Sequence, residues 1–320
     1  MKCLVTGAAG FIGSHLCERL LHLGHDVVGL DSFNSYYSRP AKEANLAEAR
    51  RQPRFRFHQL DLRCDNLDPV LHGVDVVYHL AAMPGLVQSW VDFDGYWTCN
   101  VQGTQRLLEA IVRQGDGLQR FLLGSTSSVY GKFASGDETL PTKPISPYGV
   151  TKLAAEHLCQ AYAQAHELPL VTLRFFSVYG PRQRPDMAYH RFLRALLLGE
   201  PITVYGDGQQ VRGNTFVFDC VDALVAALQA HVGEVYNIGG GETATVWDVI
   251  RRLESITRRK ALVRQEPTRA GDQRYTFADV SKLRRHVGWE PQTTLDEGLM
   301  LQWQWQDRQL RAQRTVREAA

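Results

Sequence analysis

Apolar runs bounded by turn residues recur along the first half of the chain, at 3–6, 27–30, 55–60, 74–81, 120–124 and 170–175, with helix-like stretches between most of them. This alternation predicts a doubly wound parallel sheet, an α/β fold. The runs are almost wholly apolar rather than alternating, as strands covered by helices on both faces require. After about Phe176 the rhythm changes to a loop rich in Pro and Arg at 180–186, a helix at about 188–198, and then short strands and further helices. A second, smaller mixed α/β region is the expectation there. Turn-rich segments at 206–208 and 239–241 suggest more than one crossing between the regions. The expected division is 1–175 for the large sheet, with a return around 214–240, and 176–320 mainly for the smaller region.

Composition narrows the function more than the fold. The 320 residues, 44% of them hydrophobic, are enough for a sizeable core. Lys plus Arg number 36 against 34 for Asp plus Glu, so no basic field points to nucleic acid or a membrane surface. Basic residues at 251–260 and 308–317 are diluted by Glu254, Asp307 and Glu318, and read as solvated helix faces. The six cysteines are scattered without a C-x-x-C pair, which suggests neither a zinc site nor a disulfide framework, and no metal is expected. No stretch is apolar and long enough to span a bilayer, and the N-terminus enters a strand at once, so a cytoplasmic protein with a small-molecule substrate is expected.

The first strand runs directly into Thr6-Gly-Ala-Ala-Gly-Phe-Ile-Gly13, which opens a helix. In that context Gly7 permits a tight turn, Gly10 lets backbone N–H groups approach a pyrophosphate, and Gly13 lets the helix pack close to the sheet. Phe11 and Ile12 belong to the same run, and the helix expected to begin near Ser14 turns the positive end of its dipole toward phosphate. Asp31 ends the second strand 18 residues after Gly13, where a carboxylate accepts hydrogen bonds from an adenosine ribose and repels a 2′-phosphate. NAD is thereby favoured over NADP. The other reading of Asp31 is a cap on the 32–34 turn. Asp61-Leu62 closes the third run, facing the adenine or capping a loop, and His79-Leu80-Ala81-Ala82 ends the fourth with small residues that admit a cofactor. His79 has no second ligand at metal spacing and reads as a packed strand histidine.

The fifth strand delivers Ser125, Thr126, Ser127 and Ser128 to the sheet edge where α/β sheets bind ligands. Further on, Tyr148-Gly-Val-Thr-Lys152 places a phenol and an ammonium one helical turn apart. A fixed cation beside a phenol favours phenolate and makes it a usable base. An exposed helix pair is the competing reading of these two residues. Together with the glycine fingerprint, the set resembles the extended short-chain dehydrogenase/reductase family, in its NAD-dependent nucleotide-sugar epimerase/dehydratase branch, over almost the whole chain.

That resemblance implies a Rossmann-type sheet with a smaller substrate-binding domain, bound NAD, a UDP-sugar substrate, and a homodimer built on helices at about 95–113 and 148–166. Leu107, Leu108, Ile111, Leu153 and Leu158 would lie on those helices, as interface or as core. It assigns catalysis to Tyr148, Lys152 and Thr126, and adds Asn34, Asn100, Ser125 and Phe175 to the cofactor site. On the substrate side it implies Pro84, Gly85, Ser127, Ser128, Ser177, Arg184, Met187, Val204, Tyr205, Arg212, Arg269 and Asp272. Dehydratases of the branch resemble Thr-Asp-Glu-Val-Tyr-Gly where this chain has Thr126-Ser-Ser-Val-Tyr-Gly131, and decarboxylases carry Glu before Val-Tyr. Without those carboxylates, 4-epimerisation is implied. The Arg184-Pro-Asp-Met187 run resembles UDP-glucuronate 4-epimerases, in which the arginine can pair with the sugar carboxylate. A neutral UDP-hexose or N-acetylhexosamine, decarboxylation, and a non-catalytic NAD-binding role follow as alternatives. Val87 and Gly213 depart from an arginine and an acidic residue frequent in such enzymes.

Overall fold

The computed structural model describes residues 1–115, 117–268 and 273–318. In chain order the strands are β1 (Lys2–Thr6), β2 (Asp26–Asp31), β3 (Phe55–Gln59), β4 (Val76–His79), β5 (Arg120–Thr126), β6 (Phe133–Gly136) and β7 (Leu170–Phe175), followed by β8 (Ser177–Tyr179), β9 (Ile202–Tyr205), β10 (Val211–Phe216), β11 (Val235–Ile238), β12 (Thr243–Thr245), β13 (Val263–Glu266) and β14 (Tyr275–Ala278). Seven of them form one sheet in the order β11-β7-β5-β4-β1-β2-β3, every pair parallel. The α/β doubly wound fold expected from the apolar runs is therefore present.

Burial explains why those runs do not alternate. Cys3, Val5, Val76, Tyr78 and Leu122 join one apolar cluster, while their neighbours Leu4, Val77, Phe121 and Leu123 join another. Successive residues point to opposite faces, so the inner strands need apolar side chains at nearly every position to feed both layers, whereas the edge strand β3 buries only Phe55 fully. Helix Phe11–His22 packs against helix Val217–Ala226, and helix Gly103–Gln114 against helix Pro147–His166. Leu107, Leu108 and Ile111 lie in the second cluster, with Leu158 packed against it, and Leu153 packs on a third small cluster around Val129 and Phe176. Leu107, Leu108 and Ile111 are therefore buried core, while Leu153 and Leu158 are half-buried beside it.

A second sheet, in the order β12-β10-β14-β6 with β8 beside β10, and the pair β13-β9 are interleaved with the large one along the chain, since β6 precedes β7 and β11 follows β10. The strand order of the large sheet reverses between β1 and β4, and their carboxyl ends open the crevice in which such sheets bind ligands. Among the described residues, no helix is long and apolar enough to cross a membrane, and no cluster of His, Cys, Asp and Glu side chains has metal-holding geometry.

Candidate active site

A cavity of about 260 Å³ fills that crevice. Its walls bring together Gly7, Gly10, Phe11, Ile12 and Gly13 after β1, Asp31 and Asn34 after β2, Asp61 and Leu62 after β3, and Leu80, Ala81, Ala82 and Pro84 after β4. Ser125, Thr126, Tyr148, Lys152, Phe175, Arg184 and Met187 complete it. A wider cleft of about 1140 Å³ adjoins it, with Gly85, Thr126, Ser127, Ser128, Ser177, Met187, Val204, Tyr205 and Arg212 on its walls. Arg269 and Asp272 lie outside the described residues.

The glycine turn is shaped for a close ligand. Gly7 has φ +73°, and a Cβ added at Gly13 would run into the carbonyl of Gly7. The turn and the N-terminus of helix Phe11–His22 thus stand in near-contact, presenting backbone N–H groups as a cradle for an anionic pyrophosphate. Asp31 is buried; its Oδ2 accepts from the Ala9 N–H (3.1 Å) and its Oδ1 from the Phe33 N–H (2.8 Å). It both caps the turn after β2 and ties that turn to the glycine loop. Burial raises its pKa, against the opposing charge of Lys42. Asp61 is gripped by Arg63, whose Nη2 donates at 2.7 Å and Nε at 3.0 Å. These residues fit a dinucleotide, which the sugar-side groups then face.

Asn100, expected beside the cofactor, lines neither cavity. It is 1% exposed; its Nδ2 donates to Met83 O (3.1 Å) and Thr151 Oγ1 (3.0 Å), and its Oδ1 accepts from Met83 N (2.7 Å). All its polar atoms are engaged in pinning the loop after β4 to helix Pro147–His166. Its place in the π-helical turn Thr98–Gln102 turns it inward. His79 is likewise packed, between Thr6 Oγ1 (2.8 Å) and Thr104 Oγ1 (2.9 Å).

Helix Pro147–His166 sets the reacting groups. Ser146 caps it by accepting from Gly149 N (3.1 Å), and Pro147 pre-sets the first turn. Tyr148 therefore stands in that first turn and Lys152 one turn below. Burial pushes the Tyr148 phenol above its ordinary range, while the Thr126 hydroxyl and the Arg184 charge pull it back. Arg184 is thus a second cation near the phenol, beside the Lys152 that the sequence pointed to. The Lys152 ammonium donates to Gly124 O at 2.6 Å, at the end of β5. Burial lowers its pKa to about 8.

Thr126 Oγ1 accepts from Ser128 N (3.1 Å) and donates to Ser128 Oγ (3.2 Å), which orders a row of hydroxyls facing the wider cleft. Arg184 grips Asp186 through Nε and Nη2, each at 3.0 Å, and its guanidinium lies 5.8 Å from the Tyr36 ring centroid. Tyr36 Oη in turn donates to Asp186 Oδ2 at 3.3 Å.

Tyr36, Tyr37, Lys42, Arg63 and Cys99 also line the crevice and escape the sequence reading. Lys42 is the most telling of these, 4% exposed, with Nζ donating to Asn34 O (2.8 Å) and Oδ1 (2.7 Å). A polar aromatic pair and a lysine within a dozen residues of Asp31 were the signal available. Buried lysines are rare enough that only the fold reveals this one.

The comparisons with known proteins agree with this geometry. The NAD dependent epimerase/dehydratase family matches residues 3–239. An uncharacterized UDP-glucose epimerase, YtcB, of Bacillus subtilis is 47% identical over 304 residues, covering 93% of this chain and 96% of that one. A UDP-glucuronate 4-epimerase of Thermodesulfobacterium geofontis is 35% identical over 308 residues, covering 94% and 95%. The crystal structure of a UDP-glucuronic acid 4-epimerase from Bacillus cereus, in complex with UDP-glucuronic acid and NAD, superposes with a TM-score of 0.93 at 44% identity, covering 97% of this chain and all of that one. With its glycine cradle, Asp31 and the Tyr148/Lys152 helix at the reversal of a parallel sheet, this chain belongs to the NAD-dependent epimerase/dehydratase family.

Proposed function

We propose that the protein is an NAD-dependent 4-epimerase of a UDP-sugar, with UDP-glucuronate and UDP-galacturonate as its substrate pair. The observation that carries this reading is Arg184 on the wall of the cavity that holds Tyr148 and Thr126, while Ser127 and Ser128 after β5 supply hydroxyls and no carboxylates to the adjoining cleft. A guanidinium fork matches a sugar carboxylate in two hydrogen bonds. The solved relative carrying UDP-glucuronic acid supports it as well.

NAD, when bound, supplies reversible hydride exchange at the sugar carbon. Tyr148 as phenolate takes the proton of the 4-hydroxyl as that carbon becomes a ketone, then returns it when the carbon is reduced on its other face. Thr126 holds the same oxygen by hydrogen bonding. The serine hydroxyls and Arg184 orient the ring. The cleft of about 1140 Å³ leaves room for the keto-sugar to turn over while the nucleotide is held near Val204, Tyr205 and Arg212. Residues 1–175, with the return at 214–240, would serve the cofactor, and most of 176–320 the UDP-sugar.

The test is conversion of UDP-glucuronate and of UDP-glucose by the protein and by Arg184→Met, with products resolved chromatographically. UDP-galacturonate is expected from the first substrate. Compared at a pH above the acid limb of each profile, the variant is expected to lose about a hundredfold in kcat/KM on the acidic sugar and little on the neutral one. No product from UDP-glucuronate but product from UDP-glucose would favour the neutral-sugar reading, which the name of the Bacillus subtilis relative also supports. No epimer from either would end the 4-epimerase reading.

A homodimer is part of the same proposal, through the exposed apolar groups at and just before the N-terminal ends of the segments at 95–113 and 148–166. Trp90 (61% exposed), Val91 (78%), Phe93 (44%), Trp97 (45%) and Val150 (45%) leave large apolar groups uncovered. Helix Phe93–Trp97 packs on helix Pro147–His166, so these residues belong to one region of the molecule. Water exposure of several aromatic residues in one region is the usual mark of a contact surface. Sedimentation is expected to give a dimer, and Trp90→Asp with Trp97→Asp a monomer; a monomeric parent protein would remove the proposal.

A further inference from the structure

The loop at 180–190 that carries Arg184 is bolted at both ends by bonds in which neither Arg184 nor Asp186 takes part. At its start, His15 Nε2 meets Pro181 O (3.0 Å), and Arg182 donates from Nη2 to Glu18 Oε1 (2.7 Å) and from Nη1 to Ser14 Oγ (3.3 Å), all on helix Phe11–His22. Gln183, next to Arg184, is buried; its Oε1 accepts from His190 N (2.9 Å) and from Gln302 Nε2 (2.8 Å), and its Nε2 donates to Val178 O (3.2 Å). Gln302, on helix Leu295–Glu318, also accepts from Gly180 N (3.0 Å).

The backbone on either side of Arg184 is thereby fixed. Within the loop Arg184 lines the crevice, Asp186 the adjoining cleft, and Tyr36 both. The Asp186 carboxylate takes the edge of the guanidinium formed by Nε and Nη2 and also receives the Tyr36 hydroxyl. Among the described residues, no acceptor meets Nη1. The end of the fork, Nη1 with the second N–H of Nη2, is therefore the part left for a ligand.

The Arg184–Asp186 pair does little for the fold, since its side chains are 19% and 39% exposed and the loop is held by other bonds. Its effect falls on whatever else binds the guanidinium. A carboxylate on one edge offsets much of the cation's charge, and a second carboxylate arriving on the other edge is repelled by the first. We propose that Asp186 is a specificity-determining residue that moderates the grip on an acidic sugar: it takes one edge of the Arg184 guanidinium, so that the sugar carboxylate is held on the other weakly enough to let go when the keto-sugar turns over. Tighter holding of a pose that the reaction must leave lowers KM and kcat together.

The inference rests on the UDP-glucuronate reading of the function. Asp186→Asn keeps the size and one acceptor for Arg184 and removes the charge. UDP-glucuronate and UDP-glucose carry the same diphosphate, so the ratio of their affinities isolates the sugar carboxylate. In calorimetric titrations of the NAD-loaded protein, Asp186→Asn is expected to bind UDP-glucuronate about five- to tenfold more tightly than the parent does and to raise that ratio by the same factor. KM for the acidic sugar should fall with it, and kcat should fall about threefold or more. Asp186→Glu, which keeps the charge, is expected to return affinity and kcat to within about twofold of the parent. A residue that only steadied Arg184 would give the opposite sign, a weaker hold on UDP-glucuronate in Asp186→Asn. That result would overturn the proposal, as would an unchanged ratio or tighter binding with an undiminished kcat. The affinities need no turnover, so a parent protein that makes no UDP-galacturonate would fail the substrate reading and leave the ratio alone to decide the role of Asp186. A parent ratio that Arg184→Met does not change would overturn both.

Discussion

Tyr148→Phe is expected to lower turnover by about a thousandfold and to leave NAD affinity within about threefold of the parent protein. Only the phenolic oxygen is removed. The ring remains against Tyr96, at 6.1 Å between centroids, and Lys152 keeps its bond to Gly124 O. With that oxygen gone, the proposed acceptor of the sugar proton is lost. The Thr126 hydroxyl has an intrinsic acidity too weak for the task and is already engaged with Ser128. Steady-state kinetics with a parallel NAD titration reads both quantities. A variant retaining a tenth of the activity would remove Tyr148 from its role as base. Because burial lifts the phenol and the Arg184 charge opposes it, Arg184→Met should in addition move the acid limb of the parent profile to higher pH. The sign follows from losing the cation that favours phenolate.

Gly13→Ala is expected to weaken NAD binding at least about a hundredfold and to destabilise the fold by about 1–3 kcal/mol. The new methyl would meet the Gly7 carbonyl and Ala8 Cα, both backbone, at a point where the turn and the helix start already touch. Neither side can yield without moving the cradle. Gly10→Ala makes a useful contrast, since its methyl would stand 3.0 Å from Gly7 O, tight but within reach of small adjustments. Calorimetric titration with NAD and thermal melting of both variants should rank Gly13→Ala as the worse on each. Equal affinities for NAD would mean that the close approach at Gly13 does not shape the cofactor site.

The large sheet was legible because the signal that betrays it is local. Strands buried on both faces spell continuous apolar runs, and all six runs read from the sequence became strands of that sheet. The smaller sheets gave no such signal. β6 reads Phe-Ala-Ser-Gly and β13 Val-Arg-Gln-Glu, too short and too polar to stand out. At the site, residues announced by a motif were found, and the structure gathers most of them around two adjoining cavities. What stayed hidden depends on partners distant in sequence. Asp186 matters through its hold on Arg184 and Tyr36, and Lys42 through the folded loop that encloses it. Asn100 shows the converse. Its residue type and position resemble those of a cofactor contact, and the fold shows in addition that its amide ties the loop after β4 to helix Pro147–His166.

The last strand of the large sheet has a consequence for how the molecule is made. β11 pairs with β7 from Val235↔Thr172 to Ile238↔Phe175, across the whole of β8, β9 and β10. Until residue 238 has been synthesised, β7 presents a bare row of backbone donors and acceptors to solvent. A chain cut at Phe175 would keep the glycine cradle, Tyr148 and Lys152 yet remain an open-edged sheet prone to pairing with its own copies. Asn237 on β11 also receives the Tyr130 hydroxyl, and its N–H donates to Glu138, so the same late strand anchors the segment that follows β5. Dissection at the apparent boundary would therefore yield an aggregation-prone fragment, and a soluble piece carrying the cofactor site has to extend at least through β11.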